Sequence, residues 1–425
     1  MIQFDTWTDD HPNTMNVKWY RDTTLLEDQT YTVDSANYFC DTQVQAFNKV
    51  VITIRNMTKA NRFLKIFNIA DGITRQFYND ELENVEIIEQ ITDNNEALNI
   101  NEASLQILPA NNTGVLFQRT LPFSIYRNDV LYGQFFVNSS TSNTDKTLYK
   151  LKVSDYIKTL EGQTYLGGLY NGVTASTIIA EILDDIPYTL DAGLGAKTIT
   201  GYLPILTKRE ALRQVAFCIN AIVDTSRADN IVIKPTPSTV SATLGKDKII
   251  NIDTTQENIV TKITLETTIL STKNASADTI LSEKINGTTS IIFDNPMFDL
   301  SITGGTIVTS NLNYAIISGT GSTVTLTGKE YVQATKQESK DNPYTVTTDI
   351  AKVETYQTTL VCDGESIIDN LNFVEYKIKS TFKMGDIKVG DLISLNGQTC
   401  RVMTLSYDIA QTNIYCNAEL EAYYE

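Results

Sequence analysis

A mainly β fold with minor α (α+β) is what this sequence predicts, on three observations. Residues 241–362 are rich in Thr, Ser, Gly and Asn and interleave them with β-branched residues, as strands do. Strand-like runs recur elsewhere, among them 50–54, 85–91 and 148–153. Helical periodicity is confined to short segments, chiefly 176–186 and 208–219. With 425 residues the chain exceeds one ordinary core, so two to four domains are expected.

Residues 1–78 read as a β domain with strands at 50–54 and 63–69 and a polar loop between them. Residues 79–240 follow as a second domain. Its strands at 85–91 and 104–108 lead to a hairpin turning at Asn128-Asp129, then to a polar loop over 138–146. A short helix starts at 154–158, and a longer one shows Ile178, Ile179, Ile182, Leu183 and Ile186 on one face before Pro187 stops it. In the helix at 208–219, Thr207 caps the first turn and Glu210 stands where its carboxylate can reach back. Leu212, Val215, Ala216 and Ile219 make its apolar face, and strands at 221–223 and 231–233 flank a turn holding Arg227. Residues 241–362 form a β-rich third domain without a strict repeat. Residues 363–425 return to mixed structure, with a helix at 365–376 and a terminal hairpin of 399–407 and 412–420.

Composition excludes several classes. A net charge of −17 argues against stable nucleic acid binding, which needs Lys and Arg to displace counterions. No apolar run is long enough to span a membrane. The acidic start, with Asp5, Asp9 and Asp10, is not a signal peptide, so synthesis in the cytoplasm is expected. Five cysteines without a C-x-x-C give neither zinc spacing nor a disulfide framework. Cys400 and Cys416 would face each other in the terminal hairpin, as buried thiols.

Candidate chemistry is sparse. His11, beside Asp9 and Asp10, is the one histidine; a carboxylate/imidazole metal site and a solvated turn both fit it, and the turn fits better. No G-x-S-x-G elbow or phosphate-binding loop occurs. Glu81, Glu83, Glu86 and Glu89 are the densest acids and read equally as a charged strand edge. Asp184-Asp185 ends a helix against its dipole. Trp7 and Trp19, with Arg55, Lys59, Asn61 and Arg62, could face a sugar, although core packing is the commoner fate. No catalytic, cofactor-binding or metal residue is assigned, and no enzyme activity is expected.

Two resemblances sharpen this. The pattern Val50-Val-Ile-Thr-Ile54, polar loop, Phe63-Leu-Lys-Ile66, then Asp71-Gly72 resembles galactose-binding-like β-sandwiches. An ordered set over residues 85–425 resembles the hub proteins of bacteriophage tails. The set comprises Gly133-Gln-Phe-Phe-Val137, Asp155-Tyr-Ile157, the 178–186 helix, Pro204 and Arg209-Glu210-Ala211-Leu212. The Arg227 turn, Gly390-Asp391-Leu-Ile393 and the final hairpin complete it. The hub resemblance implies tube-like β-barrel domains, two per chain, in a homotrimeric ring that matches a six-fold tube. It makes residues 79–240 the first hub domain and 363–425 the C-terminal part of the hub. It implies a structural protein of the virion or tail particle, at the baseplate or tip. Its partners would be the tail tube, other baseplate or tail-tip proteins and the tape measure. A carbohydrate- or receptor-binding tail-tip protein recognising a host glycan is the alternative. A peptidoglycan hydrolase is third, since the sequence carries no appended peptidase or muramidase region.

Overall fold

The computed structural model describes residues 2–5, 8, 10–38, 40, 42, 44, 47–59, 61–69, 77–92, 97–109, 121–145, 147–255, 259–273, 275–344, 352–410 and 414–423. Trp7, Asp9, Asp71 and Gly72 lie outside them. The chain divides into two compact units, Met1–Tyr78 with Gly114–Leu116, and Asn79–Thr113 with Phe117–Glu425.

The first unit holds two three-stranded antiparallel sheets. In one, Pro12–Arg21 lies between Thr24–Thr32 and Lys49–Met57. In the other, Ile2–Phe4 lies between Asn37–Tyr38 and Ile66–Ile69. Alternation along Pro12–Arg21 sends Met15, Val17 and Trp19 inward, onto Phe4 and Tyr31. Trp19 is therefore core, not a stacking platform for a sugar.

The second unit is built on one eleven-stranded sheet. Its path runs Ile249–Thr255, Val374–Lys383, Tyr415–Tyr423, Gln398–Asp408, Leu82–Gln90, Glu102–Ile107, Tyr149–Ser154, Val130–Ser142, Phe123–Arg127. Leu392–Leu395 branches from Gln398–Asp408 and pairs in parallel with Val240–Leu244. Strands from 82–154 and from 240–423 thus share a sheet, so the expected limits at 240 and 362 do not separate sheets. The mainly β class is observed, but the tube-like barrels are not closed: among the described residues the path ends at Ile249–Thr255 and Phe123–Arg127. Val130–Ser142 gives its first half to one neighbour and its second half to another, with register shifts at Leu131/Gly133 and Val137/Ser139. Such bulges turn a strand and splay the sheet. They also carry the strand through 138–142, where a polar loop was expected.

Among the described residues the second unit has four helices, α1 (Tyr156–Glu161), α2 (Ala175–Leu183), α3 (Ala192–Gly195) and α4 (Lys208–Ile219). They share a core with two smaller three-stranded sheets, Gly168–Thr174, Thr198–Leu203 and Leu360–Cys362, and Tyr188–Leu190, Ile231–Pro235 and Ala221–Asp224. Ile178, Ile179, Ile182 and Leu183 of α2 and Leu212, Val215 and Ile219 of α4 are all at 0% exposure in one core. Thr207 caps α4 by accepting from the Glu210 N–H, but the Glu210 carboxylate pairs forward with Arg213 instead of reaching back. The helix expected at 365–376 is only a 3-10 turn, Ile368–Asn370, followed by strand from Val374. Val374 onward pairs with Tyr423 and its predecessors, and that ladder overrides the local helical pattern. The terminal hairpin sets Cys416 against Tyr407, and Cys400 against Ile393, so the two thiols do not face each other. Cys218, Cys362, Cys400 and Cys416 are buried free thiols.

Residues 277–330 are an insertion between Val260–Ser271 and Val332–Asp341, which pair as far as Ser271↔Val332. Its four strands, Ala277–Ile292, Met297–Thr303, Gly305–Ser310 and Tyr314–Glu330, close over their own core of Ile317, Val324 and Leu326. Asn313 fastens it to the helical side by donating to the carbonyls of Leu166 (2.8 Å) and Leu203 (2.9 Å).

Candidate functional site

Buried polar side chains of the second unit gather at a turn, Asp224-Thr225-Ser226-Arg227, between Ala221–Asp224 and Ile231–Pro235. Asp224 accepts from the Ser226 N–H at 2.8 Å, an Asx turn, and holds Lys234 at 2.7 Å. Arg227 then adopts φ 52°, in the left-handed region.

Arg227 contacts three strands and a loop. Its Nε lies 3.2 Å from Glu89 Oε1, and its Nη2 donates to the Ile387 carbonyl at 2.7 Å. The guanidinium also sits over the rings of Tyr132 and Tyr407, at 5.7 and 5.8 Å. Tyr407 donates to the same Glu89 oxygen at 2.6 Å. Glu89 Oε2 is buried with no hydrogen-bond partner among the described residues. Burial pushes the Glu89 carboxyl above the usual carboxylate range, against the pull of Arg227 and Tyr407.

The other flank of the turn rests on Asp155, the N-cap of α1. Its Oδ1 accepts from the Ile157 N–H at 3.0 Å. Its Oδ2 accepts from the Asn101 N–H at 2.9 Å and from the Thr225 hydroxyl. Asn101 donates in turn to Thr225 Oγ1 at 2.8 Å. Burial raises Asp155 to about 6 in spite of these donors. One turn therefore locks the helical side to the strands Leu82–Gln90 and Gln398–Asp408. Arg209 adds a second tie, donating from Nε to the Leu98 carbonyl at 2.8 Å and from Nη1 to Glu161 at 2.9 Å.

The sequence candidates distribute as follows. Leu82–Gln90 is an interior strand, not an edge: Glu89 and Glu81 are buried, while Glu83 and Glu86 are exposed. The four carboxylates thus never form one group. Asp184 is the C-terminal cap of α2 at φ 53°, its N–H donating to the Ala180 carbonyl. His11 is buried, with its Nδ1 3.1 Å from the Pro12 carbonyl, instead of lying in a solvated turn. Asp10 pairs with Lys59 at 3.2 Å and Arg62 at 3.5 Å. Among the described residues no group of three acidic, His or Cys side chains could hold a metal. Arg227 was legible as part of a turn; its partner Glu89 was legible only as one acid among four.

The surface offers a different feature. Both ends of the eleven-stranded path lack a neighbour among the described residues. At one end Ile250 is 65% exposed and Ile252 38%; at the other Tyr126 is 61% and Val130 56% exposed. Unpaired strand edges with apolar side chains are templates for further pairing.

No protein-family model and no curated protein matches the chain. Among solved structures it is similar to a 43 kDa tail protein of prophage MuSo2 from Shewanella oneidensis, at 10% identity and a TM-score of 0.44 over 79% of this chain and 93% of that one. A tail protein from Neisseria meningitidis MC58 gives 10% identity and 0.47, over 80% and 92%. Prophage tail protein gp18 from Listeria monocytogenes EGD-e gives 10% and 0.45, over 82% and 90%.

Proposed function

We propose that this chain is a structural hub of a phage-type tail, at the baseplate or tip. Three copies would form a ring joining the tail tube to distal tail proteins, without enzymatic activity of its own. The ordered pieces of the hub-like sequence support the reading, because each has a structural role in one unit. Asp155 caps α1, Arg209 ties α1 to α4, Arg227 locks the turn, and Gly390 and Leu392–Leu395 support the sheet branch.

The observation that carries the ring is the open sheet. A head-to-tail contact places one free edge of a sheet against the other free edge of the next copy, and repeated rotation closes it. Ile249–Thr255 and Phe123–Arg127 are the ends available for that contact. Closure would bury Ile250, Ile252, Tyr126 and Val130 and remove both edges from solvent.

Sedimentation of the full chain tests it, with an Ile250→Lys/Ile252→Lys variant beside the native sequence. The native chain should sediment as three copies. The variant should stay folded, since both side chains are exposed, and should sediment as one. A native chain that remains monomeric, or a variant that still forms trimers, contradicts the ring.

A further inference from the structure

The first unit separates its charges by edge. Residues 22–48 carry Asp22, Glu27, Asp28, Asp34 and Asp41 and no Lys or Arg. Residues 49–70 carry Lys49, Arg55, Lys59, Arg62 and Lys65 and no Asp or Glu. The fold puts one strand from each segment on opposite sides of a third: Thr24–Thr32 and Lys49–Met57 flank Pro12–Arg21 as the two edges of a three-stranded sheet, while Asp41 lies outside the described residues. The basic side continues through 58–65 into Ile66–Ile69, an edge of the second sheet.

Each charged edge also exposes apolar surface. On the basic side Phe63 is 86% and Phe67 60% exposed. On the acidic side Leu25 is 46% and Leu26 37% exposed. Asp10 pairs with Lys59 and Arg62, Asp5 with Lys65, and Lys18 with Asp28, so the two strips owe their opposite net signs chiefly to Lys49 and Arg55 on one side and to Asp22, Glu27 and Asp34 on the other. Exposed aromatic and aliphatic side chains beside such a net charge are the make-up of a docking strip. The two strips are complementary in charge and lie on opposite edges, so they cannot satisfy one another within a chain.

We propose that the first unit is a self-association module, in which the basic edge of one copy docks on the acidic edge of the next copy. The apolar side chains supply burial, and the opposed charges supply register and direction. The occupant is a second copy because the chain itself presents the complementary strip. The contact is heterologous, so it is compatible with a closed ring and does not depend on the sheet edges of the second unit.

The test uses the full chain with a photo-crosslinking amino acid at position 67, mixed from isotopically light and heavy batches. Adducts should join light to heavy chains and map to residues 24–32. Glu27→Lys/Asp28→Lys makes both edges basic, and Lys49→Glu/Arg55→Glu makes both acidic; all four side chains are exposed or half-buried and none anchors a buried partner. Each variant alone should lose the adduct by about tenfold at low salt, and mixing the two should restore it. Restoration is a result that misfolding does not give. Adducts confined to one chain, adducts that map outside 24–32, or yields indifferent to charge overturn the proposal. A three-copy mass that persists while the adduct is absent rejects this module and leaves the ring intact. The adduct without a three-copy mass rejects the ring alone.

Discussion

Arg227 and Glu89 stand 138 positions apart in the chain, yet the guanidinium Nε lies 3.2 Å from the carboxylate, with both side chains buried. This pair joins the turn after α4 to an interior strand of the eleven-stranded sheet. A buried pair contributes little net stability, but removing one partner strands the other charge in a low dielectric. Arg227→Met should therefore lower unfolding free energy by about 3–5 kcal/mol. Arg227→Met with Glu89→Leu should recover a large part of that loss, measured by urea unfolding monitored in the near-ultraviolet. A double variant no better than the single one would mean that the pair is not electrostatically coupled.

Asp155 gives the chain an inverted acid response. Its carboxyl stands at about 6 in the fold against 3.8 as a reference, so between these values the folded state binds more protons than the unfolded one. Stability from this group is therefore fully present below about 3.8 and is lost as pH rises through about 6. The shift corresponds to about 3 kcal/mol. Glu89, raised by burial, acts with the same sign. Comparing unfolding of the native chain and Asp155→Asn from pH 4 to 7 checks it. The native chain should show a more negative dependence of stability on pH than the variant; equal slopes would remove Asp155 as the source.

Leu212 is at 0% exposure on the apolar face of α4. Leu212→Ala should cost about 2–5 kcal/mol, as core truncations do. A loss below about 0.5 kcal/mol is the level of a surface position and would contradict the packing of α4.

The insertion hangs on Gly167 and Asn313. Gly167 has φ +67°, and a Cβ there would stand 2.0 Å from the Leu203 carbonyl oxygen and 2.6 Å from Asn313 Nδ2. Gly167→Ala must therefore displace backbone. Asn313→Ala leaves the Leu166 and Leu203 carbonyls without that donor, at a cost of about 1–3 kcal/mol. Both variants should speed limited proteolysis at 272–276, ahead of the insertion's first strand; an unchanged cleavage pattern would show that the insertion is held by other contacts.

Local chemistry was legible where it acts over a few residues. Thr207 is the cap its spacing says, the short helix starts where expected with Asp155 as its cap, and Asn128 and Asp129, both at positive φ, make the expected hairpin turn. What escaped depends on partners far along the chain. The helical pattern at 365–376 yields to a ladder with Tyr415–Tyr423, and the Glu81–Glu89 strand is interior because Gln398–Asp408 pairs with it. Trp19 could not be told from a surface aromatic until Pro12–Arg21 was set between two neighbours. Glu89 was hidden for the same reason: its buried place comes from Arg227 and Tyr407, neither adjacent in sequence.

In the ring we propose, copies of this chain meet through the free ends of the eleven-stranded sheet. Electron microscopy of the assembled full chain, at a resolution that traces strands, tests it most directly. Three-fold symmetry is expected, with Ile249–Thr255 of each copy alongside Phe123–Arg127 of its neighbour. A two-fold dimer, or a three-fold ring in which both edges face solvent, would contradict it.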